Sequence, residues 1–145
     1  MLSSDPARCP NSTFVYHFLE NPADESVSGG DGSCHSCEIP FVFNAAMFLK
    51  NAAERDLAVT MARYWVAFAD TGKPGRGGAS TEDQPEWPAY ERNTEQVMQL
   101  GKQKVGGVQV MTGLRGHTCD VWDSLPYPFW ANASGWTDTR SSEGA

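Results

Sequence analysis

Gly32-Ser33-Cys34-His35-Ser36-Cys37-Glu38-Ile39-Pro40-Phe41-Val42-Phe43 sets a histidine in a glycine-preceded loop just ahead of an apolar, β-branched and aromatic run. Histidine is suited to move protons near neutral pH, because its ordinary pKa lies close to it, and loops held by a rigid element are where such residues sit. Cys34 and Cys37 frame His35, a spacing shared by zinc knuckles and redox motifs. Structural zinc needs four ligands in two pairs. The other candidates, Cys9, His17, His117 and Cys119, hold one close pair, His117 and Cys119, which is too tight for the common spacing. No metal or other cofactor is therefore expected, and a small metal-binding module ranks below the other readings. A thioredoxin-like role is weaker still, because the motif does not open a helix within a βαβ pattern. Reduced, partly buried thiols are the expectation for this pair. Ser33 and Ser36 lack the strained elbow that would present a hydroxyl as a nucleophile.

The elements that must position His35 follow from periodicity. Phe14-Val15-Tyr16-His17-Phe18-Leu19, apolar on both faces, predicts a strand buried in a covered sheet. Residues 21–32, acidic and glycine-rich, predict a surface loop. Its Gly29-Gly30-Asp31-Gly32 is a turn and not a phosphate cradle, since no helix is predicted to follow. Leu57, Met61, Trp65 and Phe68 recur at helical spacing, and Val59, Ala62 and Val66 widen the apolar face, which predicts a well-buried helix over about Ala52 to Ala69. Asn51 and Glu54 form a capping-box pattern in which each side chain satisfies a free backbone N–H. Gly72 suits a left-handed C-cap and Pro74 blocks continuation. Gly75 to Gln84 is expected to be a mobile connector, Trp87-Pro88-Ala89-Tyr90 an anchored bend, and Glu95 to Gly101 a short, half-exposed strand. Trp65, Phe68, Trp87 and Tyr90 are expected in the core. Beyond Trp122 the Pro-, Ser- and Gly-rich composition predicts a weakly ordered tail.

At 145 residues, with 40% hydrophobic and 11% aromatic content, the chain has the length of one domain and is not globally disordered. A formal net charge of −7 and the lack of any Lys/Arg-rich run exclude nucleic acid and anionic membrane surfaces as expected partners. No run of apolar residues is long enough to span a bilayer, and the first residues lack the apolar core of a signal peptide. Asn11-Ser12-Thr13 and Asn132-Ala133-Ser134 fit the N-glycosylation pattern, and four cysteines permit two disulfides. A secreted parent with an upstream signal would reconcile these features. Composition leaves the oligomeric state open.

Four landmarks together resemble the type B carboxylesterases, the family that includes the cholinesterases. They are Phe14 to Phe18; His35 with Glu38, Val42 and Phe43; Trp65-x-x-Phe68-Ala69-x-x-Gly72-x-Pro74; and Trp87-Pro88-x-Tyr90. The resemblance covers most of residues 9 to 125 and implies an α/β fold, the C-terminal part of an α/β-hydrolase over 1–125, followed by a tail over 126–145. It implies His35 as the catalytic histidine and Glu38 as a residue that stiffens its loop. The family's Gly-x-Ser-x-Gly nucleophile elbow and His-Gly-Gly-Gly oxyanion loop do not occur, and no acid matches the triad position. The implied function is therefore that of a carboxylic-ester hydrolase acting on a small ester in a full-length parent, with this chain inactive by itself and marginally stable. The rival is a non-catalytic relative of the interaction or adhesion type. Cys119-x-x-Trp122 resembles the family's C-terminal cysteine region, which implies a Cys9–Cys119 disulfide. In the chain-entropy model so long a loop gains about 4 to 5 kcal/mol. Cys9-Pro10 departs from the family by lacking the helix that normally precedes the strand.

Overall fold

The computed structural model describes residues 12–28, 30, 32–77, 84–101 and 107–125. Two compact units divide at residue 114. The first contains strand β1 (Tyr16–Phe18), helix α1 (Ile39–Val42), a 3-10 turn (Ala46–Phe48), helix α2 (Ala52–Thr71) and strands β2 (Val97–Leu100) and β3 (Gln109–Met111). The second contains helix α3 (Gly116–Asp123).

The three strands form one sheet in the order β1-β2-β3. β1 pairs in parallel with β2, placing Tyr16, His17 and Phe18 opposite Met98, Gln99 and Leu100, and β3 is antiparallel to β2. Parallel neighbours need a long crossover, and α1 and α2 supply it. The core lies between the sheet and these helices. Phe18, Met98 and Leu100 meet Phe41, Leu57, Ala58, Met61, Tyr64 and Trp87 there. Edge-to-face ring pairs, among them Phe18 with Phe41 at 5.2 Å and Tyr64 with Trp87 at 5.4 Å, lock the contacts.

β2 corrects the expectation of a half-exposed strand. All four of its residues are buried, because it is the central strand with β1 on one side and β3 on the other. Gln99 tolerates this burial by donating from Nε2 to the Gly107 carbonyl at 3.4 Å.

Helix α2 starts and stops where its punctuation predicts. Asn51 Oδ1 accepts from the Glu54 N–H at 3.0 Å, and Gly72 closes the helix at φ 75°. The glutamate half of the capping pattern also satisfies backbone N–H groups, and one of them is distant in the chain. The Glu54 carboxylate, fully buried, accepts from the Ala23 and Lys50 N–H groups, each at 2.8 Å. It thereby ties the loop after β1 to the start of α2. The helix is buried on one face only. Leu57, Ala58, Met61 and Tyr64 face the core, whereas Val59, Val66 and Phe68 are exposed. Val59 and Val66, seven residues apart, lie on the face opposite the Leu57–Met61–Tyr64 stripe, whereas Phe68 continues that stripe and packs edge-on against Phe14 with its outer part exposed. Of the four aromatics expected inside, Trp87 is buried and Trp65 half-buried, while Phe68 and Tyr90 are 48% and 39% exposed.

The segment after α2 corrects the mobile-connector expectation as far as Gly77. Gly75, Arg76 and Gly77 form a turn against α2, with Trp87 N–H donating to the Gly75 carbonyl at 2.8 Å. At Gly77, with φ +62°, an added Cβ would meet Arg63 Cβ at 3.1 Å and the Tyr64 nitrogen at 3.2 Å, so only glycine fits. The rest of that connector through 83, and the tail over 126–145, lie outside the described residues.

Lys50 Nζ pairs with Asp24 Oδ2 at 2.6 Å, and Ser26 donates to Asp24 from both its hydroxyl and its N–H. These bonds from Lys50 and Ser26 hold the Asp24 carboxyl at about 2. Its folded pKa is below the unfolded value of about 3.9, so its contribution to stability is present above that value and is lost as pH falls through about 2. Carboxyl-detected NMR should therefore find Asp24 titrating with a midpoint of about 2, and Lys50→Ala should move that midpoint upward. A midpoint near the ordinary value in the natural chain would refute the pairing.

Candidate active site

The turn carrying His35 is built on the core beneath it. The chain leaves β1 at Phe18, runs through the loop held by Glu54 and Asp24, and turns over residues 35–38. Cys37 is fully buried and its N–H donates to the Cys34 carbonyl at 3.3 Å. Phe41, also fully buried, packs edge-on against Phe18. α1 follows at once. Pro40 sits in its first turn, where a missing N–H costs nothing, and the Glu38 carbonyl accepts from Phe41 and Val42. At its end Asn44 adopts φ 47°, and the Ala45 N–H reaches back to the Pro40 carbonyl at 2.8 Å, a Schellman closure. Two buried side chains and a short capped helix thus fix the backbone around His35.

His35 itself is exposed. Among the described residues its imidazole makes no hydrogen bond, so it is open to an incoming group. Glu38 is half-buried; its carbonyl accepts from Phe41 and Val42, and its side chain makes no capping bond. Burial pushes the Tyr16 phenol up, and the Glu38 carboxylate adds to this, which places the charge of Glu38 beside β1. Ser33 is exposed and Ser36 half-buried, and neither is presented by a strand-to-helix elbow.

The thiols expected at Cys34 and Cys37 are instead joined in a disulfide with a Cα–Cα distance of 5.2 Å. The turn brings the two sulfurs together, and an oxidised pair has no thiolate to offer a metal. Among the described residues no three His, Cys, Asp or Glu side chains converge as metal ligands. Cys119 lies in α3 with an exposed free thiol, while Cys9, Asn11 and Asn132 lie outside the described residues. His17 is half-buried on β1 and its Nδ1 is buried without a partner; His117 is exposed in α3. A separate recess of about 200 Å³ is lined by aromatic rings, including Phe14, Tyr16, Trp65, Phe68 and Trp87.

Residues 3–122 match the family model for the carboxylesterase family. The chain belongs to that family. This carboxylesterase-family chain is 28% identical over 116 residues to acetylcholinesterase 1 of Caenorhabditis briggsae, covering 76% of this chain and 19% of that protein. It is 31% identical over 116 residues to the acetylcholinesterase of Danio rerio, covering 77% of this chain and 18% of that protein. Among solved structures, a PNB esterase superposes with a TM-score of 0.59 at 25% identity, covering 75% of this chain and 21% of that one. The chain is thus cholinesterase-like in sequence and forms a mixed α/β part of the α/β-hydrolase fold. It spans only 18% to 19% of the length of these curated relatives. No helix among the described residues is long and apolar enough to cross a membrane.

Sequence reasoning missed the disulfide, the hydrogen bond from the Ala23 N–H to Glu54 and the burial of Tyr64. The Cys-x-x-Cys spacing held the first signal. Tyr64 lies three residues beyond Met61 on the apolar stripe and donates its hydroxyl to the Pro85 carbonyl, which lets a polar ring occupy the core.

Proposed function

We propose that this chain supplies the general acid–base histidine, His35, of a serine carboxylic-ester hydrolase whose nucleophile and triad acid come from polypeptide beyond these 145 residues. The carrying observation is an exposed imidazole on a turn anchored from below by Cys37 and Phe41, within the stretch matched by the family. In such a site a serine hydroxyl attacks the ester carbonyl while the imidazole takes its proton. The imidazolium then returns that proton to the leaving alcohol, and a carboxylate on the far ring nitrogen holds the tautomer. The protein supplies a fixed backbone at His35, and Glu38 stiffens it. Glycosylation at Asn11 and Asn132 and a secretory parent belong to the same reading.

The sequence contains neither Gly-x-Ser-x-Gly nor His-Gly-Gly-Gly, so alone the chain contributes proton transfer only and ester hydrolysis should stay at background. The experiment compares residues 1–145 with the same chain joined to its upstream coding sequence, using a p-nitrophenyl ester and a fluorophosphonate probe. The expected result is no labelling of the short chain, and labelling of one serine with turnover in the longer one. Stoichiometric labelling of the short chain would expose a missed nucleophile. A longer chain with neither labelling nor turnover would favour the interaction-type relative.

A further inference from the structure

The Cys34–Cys37 bridge closes a ring whose only internal residues are His35 and Ser36. So short a loop constrains the unfolded chain very little compared with a long one, so the bridge acts on the turn and is not a staple for the whole fold. Within that ring Ser36 is held at φ 67°, a left-handed conformation that a residue with a side chain seldom adopts. The Val27 carbonyl oxygen lies 3.4 Å from Cys34 Sγ and 3.1 Å from Cys37 Sγ. A disulfide has no S–H to donate to it, whereas two thiols would. The reduced pair therefore has an acceptor already in place for its buried hydrogens. The two sulfurs are also unequal: Cys37 is fully buried, while Cys34 is half-buried and is the one solvent reaches.

We propose that Cys34 and Cys37 form a redox-reversible clamp on the turn that carries His35, closed as the disulfide and opened by thiols of the glutathione class. Its purpose rests on the reading of His35 as the acid–base residue; its chemistry does not. An external thiolate attacks Cys34 Sγ, the S–S bond breaks, and Cys37 Sγ leaves as a thiolate and takes a proton. A second external thiolate attacks the external sulfur of the mixed disulfide, and Cys34 Sγ leaves and is protonated. The protein pair gains two electrons and two protons, and the two external sulfurs end joined. The oxidised external thiol drives the reverse sequence. Opening the ring frees Ser36 from its left-handed backbone, and the main chain that carries the imidazole beside it is no longer held. Cys34 and Cys37 are thus positioning residues for His35.

The test equilibrates the full chain, with Cys9→Ser and Cys119→Ser so that only this pair can cross-link, in graded mixtures of reduced and oxidised glutathione. Alkylation followed by mass measurement counts the thiols, and the Hε1 signal of isotope-labelled His35 reports the turn, with His17 and His117 as internal controls. The natural chain, read by peptide mapping of Cys34 and Cys37, gives the same count if the serine variants fold poorly. The expected result is a single reversible two-electron transition with the His35 signal moving in step and the other two histidines still. In Cys34→Ser/Cys37→Ser, His35 should sit at its reduced position whatever the buffer. A pair that remains dithiol in excess oxidised glutathione would overturn the proposal, as would a His35 signal unchanged between the two forms. In the longer, hydrolytic polypeptide, reduction should lower kcat by up to about 10²-fold, the cost of a catalytic group displaced by about an ångström. Failure of the ester-hydrolase reading would leave the NMR transition intact. Failure of the clamp would leave hydrolysis indifferent to glutathione.

Discussion

His35→Ala, made in a polypeptide that also carries the serine and the triad acid, is expected to lower kcat/KM for a p-nitrophenyl ester by roughly 10²- to 10⁴-fold, the usual yield of positioned acid–base catalysis. Folding should be nearly untouched. His35 is exposed and the turn is held by Cys37, Phe41 and the Glu38 carbonyl, none of which the substitution alters. Surface changes of this kind usually stay within about 0.5 kcal/mol. Kinetics and a urea melt on one preparation therefore separate chemistry from structure. Added imidazole should restore part of the lost rate, because the truncated side chain leaves space at an open position. A variant that keeps the parental rate would remove His35 from the mechanism; a variant that loses rate only because it unfolds would show in the melt.

Glu54→Ala is expected to destabilise the first unit by about 2 to 6 kcal/mol. The estimate follows from two backbone donors, Ala23 N–H and Lys50 N–H, that lose their charged acceptor together, each such part-buried hydrogen bond to a carboxylate contributing about 1 to 3 kcal/mol. Because domains of this size have only about 5 to 15 kcal/mol in all, the substitution brings the unit close to unfolding. Glu54→Gln should lie between, since the amide keeps one acceptor oxygen and turns an NH₂ toward the other donor. Urea denaturation gives the magnitudes, and hydrogen exchange should show Ala23 and Lys50 losing protection first. A loss below about 1 kcal/mol for the alanine variant would mean that water replaces the carboxylate.

The parts of this structure legible in the sequence are those fixed by local chemistry. Asn51, Gly72 and Pro74 bound α2 through backbone groups only a few residues away, and the apolar repeat Leu57, Met61 marks its inner face. β1 was legible from its aromatic and β-branched run, although the paired segment is shorter than Phe14 to Leu19. The illegible parts depend on partners distant in the chain. The burial of β2 follows from neighbours on both sides, which a short alternating pattern cannot reveal. Glu54 fits a capping pattern locally, and Ala23, 31 residues away, takes one oxygen of its carboxylate, which no local pattern reveals. The exposure of Val66 and Phe68 shows the same limit, since residue type does not say which apolar side chains of a helix have something to pack against. At the candidate site, the type and surroundings of His35 were readable. The bond between Cys34 and Cys37 was not, because it depends on how tightly the turn closes.

The parallel pairing of β1 with β2 carries a consequence for biosynthesis. Met98, the partner of Tyr16, lies about eighty residues further along the chain, and a ribosome adding about 5 to 20 residues per second needs roughly 4 to 16 s to make that stretch. During this interval the nascent Tyr16–Phe18 segment has emerged with no β2 to accept its hydrogen bonds. It is then an apolar strand edge of the kind that chaperones bind and that neighbouring nascent chains join. Slowing synthesis between α2 and β2 should therefore lower the yield of folded protein, whereas slowing it after β3 should not.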